Sequence, residues 1–231
     1  MSSEFVGQLA TVRHPGPNPG VVAVVFSALF LASLIPVTLI VSETHFPSPL
    51  QSPQEIVSYF RGESAKVRVC AFLQFAAAVP LGIFTATMAS RLRFHRVEAA
   101  GVSIALFGGQ AASAFMAFSA LVQWSLGQPG IAEDPRLTRA LYFLIFGAGG
   151  PGYSVPVGLL MAGLGVTGGL SRLLPRWLAL AGVFLGIVGE LSSLSLVLPG
   201  ALFLIPLTRF PGFLWLIAAG FLLPSSRVAQ G

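Results

Sequence analysis

Residues 177–198 run WLALAGVFLGIVGELSSLSLVL, an apolar stretch whose one ionisable side chain is Glu190. A helix needs about 20 apolar residues to cross a hydrocarbon core about 30 Å thick, and this stretch meets that length. Five others share its character, at 21–41, 67–89, 99–126, 137–170 and 204–223. Composition agrees: hydrophobic residues make up 55% and charged residues 9% of the 231 residues, and mean hydropathy is +0.83, far from the balance of a soluble domain. Backbone groups in lipid must bond within their own helix or a closed barrel, and the two-residue alternation of barrel strands is absent, so the spans are helices. The sequence predicts an all-α polytopic membrane protein with a polar N-terminal segment (1–20), a six-helix transmembrane domain (21–224) and a short tail (225–231). Its first partner is the lipid bilayer.

A net charge of +5 and a pI near 10.4 raise the question of a nucleic-acid partner. The thirteen Lys and Arg are scattered over the polar segments without a dense patch, and no nucleic-acid partner is predicted. The cations set topology instead. Arg91, Arg93 and Arg96 follow the second span, and Arg172 and Arg176 follow the fourth, so these short loops are expected to be cytoplasmic. The loops after spans one, three and five mix their cations with Glu43, Glu55, Glu63, Glu133 and Asp134. Both termini are then cytoplasmic, with Trp177 near the inner interface and Trp124 near the outer one as aromatic anchors. The polar start lacks a small-residue cleavage signal, so the first span is expected to remain as an anchor. Cys70 is the single cysteine; it falls within the second span and reads as a buried structural thiol.

Two helix starts are written into the polar segments. Ser52-Pro53-Gln54-Glu55 is a capping box with proline at the first helical position, and Ile56, Tyr59 and Phe60 then fall on one apolar face before Gly62. A short interfacial helix on the outer surface is expected there, as a lid over a cavity or as a packed connector. Asp134-Pro135 opens the fourth span, whose apolar run to Leu170 is about 50 Å long at 1.5 Å per residue, too long to cross simply. Within it, Gly147-Ala148-Gly149-Gly150-Pro151-Gly152-Tyr153-Ser154-Val155-Pro156 predicts a kink or an unwound segment. Such a break survives at membrane depth only where protein or a wet cavity satisfies the freed carbonyls. Val79-Pro80-Leu81-Gly82 and Val155-Pro156-Val157-Gly158, each followed by a basic loop and an Ala-Gly-Val, suggest two parallel helical hairpins. Gly182 with Gly186, and Gly165 with Gly169, mark faces where helices approach closely.

The reactive groups of most membrane enzymes are missing at depth. Lys66 is the only lysine and lies at a span end; His14, His45 and His95 lie in polar segments; Asp134 is the only aspartate and lies at a helix start. That removes a retinal Schiff base, intramembrane bis-histidine haem, paired-histidine zinc and an aspartyl dyad. Ser154 has neither the second glycine of a nucleophile elbow nor a histidine at its depth. No catalytic constellation, cofactor or metal site is predicted.

A sparse polar set remains at depth: Gln74, Gln110, Ser113, Tyr153, Ser154, Glu190, Ser192 and Ser193. Arg139, one turn into span four, and Arg209, near the start of span six, lie on the same side and are long enough to reach inward. One arrangement has Glu190, Gln74, Gln110 and Tyr153 lining a polar pocket for a small solute or lipid, with Arg139 or Arg209 facing Glu190 and the fourth-span break supplying carbonyls. In the alternative, Glu190 pairs with an arginine only to fix helix register, the glutamines bond across helices as glue, and the protein serves a structural or interaction role.

Leu174-Pro175-Arg176-Trp177 at the start of span five, Phe210-Pro211-Gly212-Phe213-Leu214-Trp215 and Ala219-Gly220-Phe221-Leu222-Leu223 in span six carry a resemblance. With the polar segment after span one and the long span four, the chain resembles a bacterial family of six-span membrane proteins classed as a domain of unknown function. The resemblance implies a six-helix bacterial inner-membrane protein and brings no catalytic residue with it.

Overall fold

The computed structural model describes residues 11–37 and 46–228. The start of the polar N-terminal segment (1–10), the end of the first predicted span and the start of the following polar segment with Glu43 and His45 (38–45), and the last residues of the tail (229–231) lie outside the described residues.

Side-chain caps start three of the helices, at Asn18 and at the expected Ser52 and Asp134. Asn18 accepts from the Gly20 amide at 2.9 Å and opens α1 (Pro19–Leu34), which tightens into a 3-10 turn at Ile35–Val37. The Ser52–Glu55 box closes in both directions on α2 (Pro53–Gly62). After α3 (Ser64–Phe94) and α4 (Ala100–Leu126), Asp134 caps α5 (Pro135–Gly149), accepting from the Arg136 amide at 2.8 Å. Then follow α6 (Pro151–Leu170), α7 (Arg176–Leu191) and α8 (Leu204–Leu222). Among the described residues, six helical segments, with α5 and α6 counted as one, are long and apolar enough to cross a membrane, and the chain is a multi-pass membrane protein.

The spans close into a ring. α1 packs on α3, α3 on α4, α4 on α6, α6 on α7, α7 on α8, and α8 returns to α1. Phe72, Phe107, Leu180, Phe184 and Leu214 point outward as an apolar belt, while Phe26, Phe84, Met88, Leu160, Met161 and Trp215 fill the interior. The α6–α7 seam is the tightest kind of contact, because Gly158 brings the two backbones together; a Cβ built there would lie 3.0 Å from the Gly186 carbonyl oxygen. A second apolar cluster of Ile56, Phe60, Val67, Leu126, Tyr142 and Ile145 seats α2 against α5 and the ends of α3 and α4.

Two features depart from the expected layout. α7 ends at Leu191 and passes into a 3-10 turn at Ser192–Leu196, rather than running to Leu198. Ser193 donates to the Glu190 carbonyl at 2.7 Å, and Ser192 does the same to Gly189, which competes with the α-helical ladder. The second departure is a pair of three-residue strands, β1 (Thr11–Arg13) and β2 (Ser226–Val228), joined antiparallel with Thr11 opposite Val228. Segments so short carry no readable alternation. Their pairing puts both ends of the described chain on one face, the terminus face.

Candidate functional site

The fourth span breaks at Gly150, whose backbone (φ −86°, ψ −103°) joins α5 to α6. Pro151 has no amide hydrogen to continue the ladder. The Tyr153 amide, which an unbroken helix would direct to Gly149, donates instead to Gly150 at 3.2 Å, as the Ser154 amide does at 2.9 Å. The Gly149 carbonyl is thereby released, and Arg209 of α8 takes it: Nη2 of the guanidinium donates to that oxygen. The same guanidinium lies over the Tyr153 ring at 4.8 Å and near the Phe30 ring at 5.1 Å, both within cation–π reach. Its Nε is buried without an acceptor.

Arg209 borders a cavity of about 630 Å³ inside the ring, on the half of the bundle away from the termini. Phe30, Met116, Ile145, Phe146 and Ile205 supply apolar walls; Gln74, Ser119 and Gln123 supply polar ones. Ser119 is engaged with the Ile145 carbonyl at 3.0 Å, and Gln123 donates to Val67 at 3.3 Å. Gln74 has, among the described residues, only the Cys70 sulfur as acceptor, at 3.4 Å, a weak partner. Among the described residues, the wall therefore holds one cation, amide groups with unused capacity, and no carboxylate. Cys70 is buried, as expected, and lines this same space.

Of the residues singled out from sequence, Gln74, Tyr153 and Arg209 meet at this cavity, and Gln110, Arg139 and Glu190 do not. Gln110 is exposed and donates to the Gly82 carbonyl at 3.1 Å, beside Ser113, which donates to Ala78 at 2.7 Å. Both hold α4 to α3 as interhelical glue. Arg139 is exposed, its guanidinium 5.9 Å from the Phe143 ring. Glu190 is exposed as well, and among the described residues it has no ion-pair partner, so the expected pairing with Arg139 or Arg209 is replaced by a different arrangement. The cause is rotational. Gly182, Gly186 and Gly189 form the packed face of α7, whereas Ile187 and Leu191 face lipid, and Glu190, one turn on from Ile187, falls on their side. Ser119 and Gln123 were missed from sequence. The signal was there: with Met116 they recur at helical spacing on one side of α4.

An aromatic cluster borders the end of the cavity away from the terminus face. Phe46 lines the cavity and packs against Tyr59, Phe60 and Tyr142, with ring centroids 5.7, 5.7 and 6.3 Å away. The Tyr142 hydroxyl donates to the Pro47 carbonyl at 2.8 Å. Burial, with Cys70 and Glu63 nearby, pushes the Tyr59 phenol above its usual range, so it stays a neutral hydroxyl. The interfacial helix α2 is thus fastened to α5, the half-helix that ends at the Arg209 contact. Among the described residues, no three His, Cys, Asp or Glu gather where a metal could be held.

Compared with known proteins, the chain matches no family model, no curated protein and no solved structure.

Proposed function

We propose that this protein binds, and in doing so carries or senses, an anionic amphipath in the cavity at Arg209. The carrying observation is the guanidinium itself: it is held within a membrane-crossing helix bundle, with one donor buried and unmatched and, among the described residues, no carboxylate in the cavity wall. A buried cation without a counter-charge costs several kcal/mol, about 3–5 when a buried pair is broken, and a bound carboxylate or phosphate supplies the missing charge. The apolar remainder of the wall suits a hydrocarbon body, and the volume lies within the range of about 300–1,000 Å³ common for small-ligand sites. Binding is favoured over catalysis, because the polar groups of the described residues at the cavity are amides, hydroxyls, the Cys70 thiol and one guanidinium, with no base beside a nucleophile among them.

The terminus face is proposed to be cytoplasmic, in a bacterial inner membrane. What supports the orientation is the crowding of Arg91, Arg93, Arg96, Arg172 and Arg176 on that face, and what supports the compartment is the family resemblance.

A second reading has its own observation. The Arg209 bond to Gly149 pins α8 to the helix break, so the residue would then be a structural fastener and the protein a scaffold. Binding of dodecanoate and dodecyl phosphate, with dodecanol as the uncharged control, separates the two on purified protein in neutral nanodiscs. The binding reading expects the two anions to raise the melting temperature and dodecanol not to. It also expects the effect to vanish in Arg209→Gln and in the cavity-filling variant Met116→Trp, which leaves Arg209 in place. Equal effects of all three probes, or none, would leave the fastener.

A further inference from the structure

A second group of cations gathers at the terminus face, far from the cavity. Arg91, near the end of α3, is only 5% exposed; its Nη1 donates to the Leu223 carbonyl at 3.1 Å, and its Nε is buried without an acceptor among the described residues. His14, just after β1, has Nε2 2.9 Å from the Ser90 hydroxyl, and its Nδ1 is likewise buried and unmatched among the described residues. One nitrogen of His95 lies 3.0 Å from the Pro224 carbonyl oxygen. Arg227 of β2 lies over the Phe94 ring at 4.8 Å, the ring that His14 meets edge-on at 5.4 Å. Arg13 of β1 is close enough to oppose the charge on Arg91. Among the described residues, no carboxylate pairs with any member of this group.

A helix C-terminus favours one nearby cation, which accounts for part of Arg91 and for none of the strand residues. Paired strands that deliver Arg13, His14 and Arg227 onto a buried guanidinium concentrate like charge, which is unfavourable unless an anion shares the site. A carboxylate offers two oxygens. A phosphate offers more, spread tetrahedrally, and suits guanidinium and imidazole donors arriving from different elements. The cluster also sits at the end of α3, a helix long and apolar enough to cross a membrane, and the ends of such helices meet the headgroup region.

We propose that Arg13, His14, Arg91, His95 and Arg227 form a phosphate-binding site, filled by the headgroup phosphate of an anionic phospholipid or by soluble phosphate. The site fastens the paired ends of the chain to the membrane surface and is independent of the cavity. Its pH dependence has a definite sign. Burial first, then Arg91 and His95, hold His14 below the usual imidazole range; Arg227 of β2 and Arg13 of its own strand add charge of the same sign. Without ligand, the stability that neutral His14 contributes is present above its unfolded value of about 6.5 and is lost as pH falls through the lower folded value. A bound phosphate reverses the local field and favours the protonated ring, so binding takes up a proton and tightens over that same interval.

The test uses the full chain in phosphatidylcholine nanodiscs with and without phosphatidylglycerol, counting retained lipids by native mass spectrometry at about pH 7.5 and about pH 5.5. A parallel sample in neutral detergent is titrated with inorganic phosphate and followed by melting temperature. Phosphatidylglycerol should be retained preferentially and more strongly at the lower pH. Arg13→Gln and His14→Gln should each weaken retention about five-fold at the lower pH, and Arg176→Gln, on the same face outside the cluster, should not. Arg91→Gln should abolish retention; should it fail to fold, the Arg13 and His14 variants decide. Stabilisation by inorganic phosphate alone supports the site with a soluble source, and by phosphatidylglycerol alone with a lipid source. If neither acts, or if Arg176→Gln weakens retention as much as the cluster variants, the proposal falls.

Discussion

Arg209 and Glu190 flank the same hairpin turn between α7 and α8, yet they face opposite worlds. Arg209 turns into the ring, between two aromatic rings and against the released Gly149 carbonyl, with no acid in the cavity wall among the described residues. Glu190 turns out toward lipid, within a turn of the end of α7 and with no base beside it among the described residues. Two opposite charges at similar depth, near each other in sequence, would be expected to pair. They do not, because helix rotation and not depth chooses the neighbour, and that rotation is fixed by glycines on the far side of α7. The cation is left facing the cavity, where the proposed ligand would meet it, and the acid on the exposed side of α7.

The most direct way to break this contrast is to remove the cation. Arg209→Gln should lower affinity for dodecyl phosphate by about 2–5 kcal/mol, the cost of truncating one member of a buried charged contact, measured by isothermal titration in nanodiscs. An undiminished affinity in that variant would place the anion's contacts away from Arg209 and overturn the binding reading. The next largest effect concerns the seam that sets the rotation. Gly158→Leu forces bulk into a space where even a Cβ meets the Gly186 carbonyl at 3.0 Å, and should destabilise the bundle by about 1–3 kcal/mol. Reactivity of a cysteine placed at position 190 toward a membrane-impermeant thiol reagent should change at the same time, since α7 can only relieve the clash by sliding or turning.

Sharpening the inner half of the contrast takes a subtler change. Tyr153→Leu removes a ring face 4.8 Å from the Arg209 guanidinium and should weaken ligand affinity by about 0.5–2 kcal/mol. Tyr153→Phe, which keeps the face, should bind as wild type does. A loss in Tyr153→Phe equal to that in Tyr153→Leu would mean that the hydroxyl, and not the ring, contacts the ligand.

The spans, the capped starts of α2 and α5 and the break near Gly150 were legible because each rests on local physics: apolar length, a side-chain acceptor at a helix start, a proline without a donor. The membership of the cavity was half legible. Gln74, Tyr153 and Arg209 announced themselves as polar groups at depth, but Glu190, Gln110 and Arg139 did so with equal force. What separates them is the face each helix presents, and in helices apolar on every side the sequence carries almost no periodic signal to say which face is inward. The glycine stripe on α7 was the usable clue. It marks the packed side, and a residue next to it in sequence lies about 100° around the helix. The strand pair and its cation cluster were illegible, because short strands are specified by their partner and the partner lies at the other end of the chain.

The smallest expected effect is also the most discriminating. Glu190→Gln keeps the shape of the side chain and removes its charge, and on the lipid-facing side of α7 it loses no ion pair among the described residues. Stability should therefore move by no more than about 0.5 kcal/mol, as for surface substitutions away from special features, and affinity for dodecyl phosphate should not change. Had Glu190 been the counter-charge of Arg209, its neutralisation would uncover the guanidinium, and an anionic ligand would bind more tightly in the variant. Had it been a ligand contact itself, binding of the anion would also rise, through lost repulsion, but only together with a change for dodecanol. An unchanged titration with both probes is the one outcome that leaves the acid outside the site, and it should hold in the same nanodiscs in which Arg209→Gln fails to bind.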